Sequence, residues 1–172
     1  MKKILSVILA ILLSTSVYAL TVKGQLENNL NVQMIIGNGC EITGGSLLNL
    51  GNLDFGEHPN IKNKIDAHSN GSAGKLGINC TKGVNYSIAL NNGLQPDGTK
   101  RRMMKVETEA REFIKYDLYQ DSARTTLWDT HNLLKGIGNG KETPIIIYGR
   151  VPPQSTPSSG AYHDTVTVIV SW

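Results

Sequence analysis

The chain has 172 residues, 40% of them hydrophobic but only 6% aromatic, with 17 lysines and arginines against 14 aspartates and glutamates. That length sets one domain with a core of its own, and the near balance of charge excludes a protein that holds polyanions by net charge. The one dense basic stretch, Lys100 to Lys105, follows a turn-like Pro96-Asp97-Gly98 and has no interleaved aromatics, so it reads as a solvated loop or strand end rather than a nucleic-acid patch.

Taken from the start, residues 1–19 read as a cleaved secretory signal. Lys2 and Lys3 open it, Ile4 to Leu13 form a short apolar run, and "VYA" precedes a cut between Ala19 and Leu20. The apolar run falls short of the roughly 20 residues that cross a bilayer, and no later run reaches that length, so no membrane anchor is expected. Without Lys2 and Lys3 the balance becomes 15 basic to 14 acidic.

Residues 20–40 then alternate. Leu20, Val22, Leu26, Leu30, Val32, Met34 and Ile36 share one parity, while Thr21, Lys23, Gln25, Glu27, Asn29, Asn31 and Gln33 share the other. This predicts a strand with one apolar face, longer than the usual 5–6 residues or so and with no hairpin turn beside it. Gly24 and Asn28 interrupt the apolar parity, as a register point or hinge would. The residues just before Cys40 fit equally well as the body's own first strand, which would confine the free strand to Leu20 through Leu30.

Cys40 and Cys80 are the two cysteines of a chain bound for an oxidising compartment, and one bridge between them is the only intramolecular pairing. Neither a CxxC nor paired histidines are present. His58, His68, His131 and His163 stand singly, so neither a metal nor another cofactor is expected.

Beyond Cys40 the chain reads as β throughout. Lys75–Cys80, Val84–Leu90, Phe113–Asp121, Thr143–Val151 and Asp164–Trp172 are rich in β-branched and aromatic residues, separated by "TKG", "NNGLQPDG", "GIGNG" and "VPPQSTPSSG". Short strands at this spacing predict an all-β, immunoglobulin-like antiparallel sandwich. Lys105 to Phe113 is the one stretch with helical character.

Two clusters invite a catalytic reading, Asp54-Glu57-His58 and Asp121-Ser122-Arg124. Neither has a nucleophile elbow, a metal spacing or a phosphate loop, and no enzyme is expected. Tyr116, Tyr119 and Trp128 suggest a carbohydrate platform, yet tyrosines three apart point to opposite faces of a strand.

The last strand runs to the final residue with Val166, Val168, Val170 and Trp172 on one parity. Such an edge, flanking an apolar groove, aggregates if left bare. A surplus strand at one end and a missing strand at the other suggest that each subunit's N-terminal strand completes the sheet of the next.

Four stretches, Ile78–Gly93, Tyr116–Trp128, Tyr148–Gln154 and Gly160–Trp172, with "LDFG" at Leu53–Gly56 as a weaker fifth, give the chain its likeness to a family. It resembles the spore-coat-U-domain pilins of archaic, Csu-type chaperone-usher pili over nearly the whole mature sequence. The resemblance implies an incomplete immunoglobulin-like sandwich over residues 37–172 and a donor strand over residues 20–36. A periplasmic chaperone would hold the subunit, an outer-membrane usher would export it, and neighbouring pilins would join it by donor-strand exchange. Leu26, Leu30, Val32, Met34 and Ile36 would be the inserted side chains, and Val166, Val168, Val170 and Trp172 the groove that meets chaperone first and neighbour afterwards. The implied function is a structural subunit of a surface fibre supporting adhesion and biofilm formation. The alternatives on the same scaffold are a minor or adhesive subunit and a secreted coat or carbohydrate-binding protein.

Overall fold

The computed structural model describes residues 27–44, 51–69, 76–106 and 111–172. The chain divides into a unit of residues 1–35 and a unit of residues 36–172. The described part of the first, residues 27–35, forms no strand and exposes its side chains. The second holds every strand found among the described residues, and all of their pairings are antiparallel.

In chain order the strands are β1 (Cys40–Thr43), β2 (Ile65–His68), β3 (Gly77–Cys80), β4 (Asn85–Leu90), β5 (Arg101–Lys105) and β6 (Phe113–Tyr119), followed by β7 (Leu134–Ile137), β8 (Glu142–Pro144), β9 (Tyr148–Val151), β10 (Tyr162–His163) and β11 (Val168–Ser171). β3 and β4 act as one long strand broken at residues 81–84. Along one side they meet β8 and then β7, and the break is bridged by Gly140 N–H to the Cys80 carbonyl, 3.1 Å, and Gly138 N–H to the Val84 carbonyl, 2.7 Å. Along the other side β1 pairs with β3, and β11 with β4. The second layer runs β10-β5-β6-β9-β2.

The alternation of β3 and β4 puts Ile78, Cys80, Ile88 and Leu90 inside, where they join Tyr116, Leu118 and Val151 from the second layer in one core. Trp128 is wholly buried in it and donates its indole N–H to the Ile88 carbonyl, 2.8 Å. Gly149 is small for a reason of space: an added Cβ would come within 2.8 to 3.0 Å of the Phe55 and Leu53 side chains, which pack on the inner face there. Leu53–Gly56, although not a strand, is thus part of the core wall.

Cys40 and Cys80 are bonded and stand directly opposite each other in the β1–β3 register. Closing a loop across 40 residues restricts the unfolded chain by about 4 kcal/mol on the chain-entropy view.

Residues 27–39 form no strand: an extended segment is a strand only when another pairs with it in a ladder, and among the described residues no strand does so. Three expectations are corrected. Thr143–Val151 is two strands, since Pro144 has no N–H to continue the ladder and the chain crosses between layers at residues 145–147. Lys105–Phe113 is not helical at its described ends: β5 and β6 flank it, and Lys105 N–H donates to the Glu112 carbonyl at 3.0 Å. Lys100–Lys105, read as a solvated loop or strand end, is a strand over most of its length. Arg101–Lys105 is a central strand of the second layer, with Arg101 buried.

The candidate assembly groove

The final segment switches layers. Tyr162–His163 pairs with β5 in one layer and Val168–Ser171 with β4 in the other, so the chain must cross at Asp164–Thr167. Asp164 fixes that crossing: one carboxylate oxygen accepts the Leu94 N–H at 2.8 Å, the other the Tyr116 hydroxyl at 2.6 Å. Burial, reinforced by this carboxylate, pushes the Tyr116 phenol far above its ordinary range, so it remains a donor. Gly93 faces the same carboxylate, with φ +78° and no room for a Cβ. Asn91 completes the anchorage by donating its N–H to the Thr167 carbonyl, 3.1 Å, and accepting the Thr167 N–H on its side chain, 2.8 Å.

Beneath the crossing sits Arg101. Its guanidinium donates to the carbonyls of Asn91 (2.8 Å), Leu90 (3.0 Å) and Trp128 (2.9 Å), tying the end of β4 to the Trp128 loop. Burial lowers its pKa. Sequence reading missed it, and the overlooked signal was an arginine at an inward position of an otherwise β-like "RRMM".

These anchors hold β11 with its inner face on the core and its outer edge free. Val166, Val168 and Val170 pack against core residues, yet none is fully buried. Trp172 remains 62% exposed. Among the described residues β11 has no partner on the side away from β4, and β1 none on the side away from β3. Ile42 of β1 faces the same way as its buried partner Ile78 but is itself exposed. At the end of β11, Trp172, Tyr86, Gly136 and Ile137 border a recess of about 560 Å³. Among the described residues, the β11 edge thus carries backbone N–H and C=O groups that no strand pairs, beside apolar side chains that are only partly covered.

The candidate donor residues have the complementary character. Leu30, Val32, Met34 and Ile36 are between 75% and 87% exposed. Leu26 and the cleavage pair Ala19 and Leu20 lie outside the described residues. Just after this stretch the chain is fastened: Thr81 donates its hydroxyl to the Gly37 carbonyl, 3.1 Å, and its N–H to the Gly39 carbonyl, 2.9 Å, one residue before the disulfide.

The other candidates serve as local structure. Asp54 accepts the Gly56 N–H, and His58 bonds the Phe55 carbonyl. Asp121 accepts the N–H groups of Thr125 and Thr126, which holds its carboxyl below the ordinary range, and Arg124 donates to the Gly149 and Ala67 carbonyls. Tyr116 and Trp128 are buried, so they offer no aromatic platform with Tyr119.

A two-layer antiparallel sandwich whose last strand, among the described residues, pairs on one side alone defines the class, an immunoglobulin-like domain. Residues 26–169 match the Spore Coat Protein U domain family. The chain belongs to that family. It is 30% identical to Protein U of Myxococcus xanthus over 155 residues, covering 84% of this chain and 83% of that protein. Among solved structures it is similar to the chaperone–tip adhesion subunit pre-assembly complex, CsuC–CsuE, from the archaic chaperone-usher Csu pili of Acinetobacter baumannii. The TM-score is 0.50 and the identity 25%, over 80% of this chain and 40% of that one.

Proposed function

We propose that this protein is a structural subunit of a secreted surface fibre of the archaic chaperone-usher type, joined to its neighbours by donor-strand exchange. Support comes chiefly from the pairing of a bare apolar edge at β11 with an exposed alternating apolar segment ahead of Cys40. Residues 1–19 direct the chain to the periplasm and are removed. Residues 20–36 form the donor, and residues 37–172 the acceptor domain. A periplasmic chaperone covers Val166, Val168, Val170 and Trp172 until export through an outer-membrane usher, after which Leu26, Leu30, Val32, Met34 and Ile36 of a neighbouring subunit replace it.

Two physical terms drive the exchange. Main-chain hydrogen bonds form along the β11 edge, and each large aliphatic side chain that becomes fully buried contributes roughly 1.5–3 kcal/mol. Ordering the donor backbone opposes this. A net gain therefore requires that several of the apolar side chains seat together, and the shared parity of Leu26, Leu30, Val32, Met34 and Ile36 provides for it. A fibre of such subunits supports adhesion and biofilm formation by presenting many copies away from the cell. No catalytic role is proposed. A coat component, the reading that the family's description as a Spore Coat Protein U domain favours, would polymerise through the same groove.

The test is complementation in trans. A subunit lacking residues 20–37, released from chaperone in the presence of a synthetic peptide of residues 20–37, is expected to form a stable one-to-one complex. A peptide with aspartate in place of Val32 and Met34 is expected to leave it aggregated. Equal rescue by both peptides would contradict the proposal.

A further inference from the structure

Within residues 27–36 the polar face of the donor segment carries one apolar side chain. On the face opposite Leu30, Val32, Met34 and Ile36 stand Glu27, Asn29, Asn31 and Gln33, all polar, and then Ile35, 88% exposed. Once Met34 and Ile36 turn into a groove, Ile35 turns to solvent. The acceptor edge has a matching exception. With Val166, Val168 and Val170 packed inward, the outward side chains of the last segment are Thr165, Thr167, Ile169 and Ser171. Ile169 is apolar there and 45% exposed.

Resting on the donor-strand reading, we propose that Ile35 of one subunit pairs with Ile169 of the next on the outer face of the completed sheet, and that this pair fixes the register of the junction. Groove filling alone discriminates poorly between registers. Val166, Val168 and Val170 are identical, so a donor displaced by two residues still meets a valine at most steps. On the outer face the four positions are not equivalent. A displaced donor would set Ile35 beside threonine or serine and leave both isoleucines uncovered. The aligned donor buries them against each other, in either strand direction. Cross-strand apolar pairs of this kind are worth about 0.2–1 kcal/mol, enough to bias register without governing overall affinity.

Paired cysteines read the register directly. Cβ atoms directly opposite in antiparallel strands lie about 4.5–5.5 Å apart and diagonal ones roughly 7–8 Å, against about 3.5–4.5 Å in a disulfide, so a bond forms between facing residues and not between neighbours two positions away. The native cysteines are bonded to each other and leave no free thiol. Full-length I35C/I169C, assembled into fibres with its chaperone and usher, is expected to give a covalent ladder after boiling in SDS without reductant. I35C/T167C and I35C/S171C are expected to give monomer. A ladder from either of those pairs in place of I35C/I169C would overturn the register while leaving strand exchange intact. Failure of the unsubstituted chain to form SDS-resistant polymers would mark failure of the exchange reading itself. A second readout does not depend on added cysteines: I35T and I169T are each expected to speed dissociation of the fibre junction about two- to fivefold, and together no more than either alone. Independent, multiplying effects would overturn the pairing.

Discussion

Arg101 shows how much of the groove depends on single side chains behind it. Three carbonyls converge on one buried guanidinium, and a truncated residue would leave them without donors in a place water does not reach. Arg101→Leu is therefore expected to cost about 3 kcal/mol or more in the peptide-complemented subunit, as measured by denaturant unfolding. Lysine should rescue little, since one ammonium cannot reproduce the fork. Asp66 makes a milder case. Its bidentate bond from Arg150 (2.7 and 2.9 Å), aided by Arg124, holds its carboxyl below the ordinary value of about 3.9. A depressed carboxyl contributes stability above its unfolded pKa and loses it as pH falls through the folded one. Asp66→Asn is thus expected to be roughly 0.5–1 kcal/mol less stable than the parent at pH 7, with the gap closing as pH falls below the ordinary carboxylate range.

At the scale of elements, what sequence disclosed depended on whether a segment's partner was local. Val84–Leu90 and Phe113–Tyr119 were legible because alternation and β-branched residues point to strands whatever pairs with them. The crossings were not. Asp164 makes the last segment change layers, a choice set by Leu94 and Tyr116, residues 70 and 48 positions away. β5 was hidden by its charges, because inward burial of Arg101 is intelligible only once Leu90, Asn91 and Trp128 are seen around it. The cysteine pairing followed from counting, and its position adds a role: it sits one residue past Gly39, whose carbonyl Thr81 holds, and so reinforces the start of β1. Cys40→Ala/Cys80→Ala is expected to cost about 4 kcal/mol and lower the melting temperature by roughly 8–16 °C in calorimetry of the complemented subunit. A change of only a degree or two would mean that β1 holds without its covalent tie.

Among the described residues of the unit 36–172, the two layers share one core, and β11 and β1 each lack a strand on one side. The buried residues come from both layers, while the inner face of the last strand is only half covered, an arrangement that a soluble domain keeps only if something else covers it. The proposed donor-strand exchange would account together for the exposure of the alternating apolar segment and for the fastening of the chain at Gly37 and Gly39. The most direct test is size-exclusion chromatography with light scattering on the mature protein and on a version lacking residues 20–37, each produced with and without its chaperone. The full-length protein is expected to form SDS-resistant polymers, and the shortened one to be recovered only bound to chaperone or as aggregate. A shortened protein that is a stable, soluble monomer on its own would contradict the account.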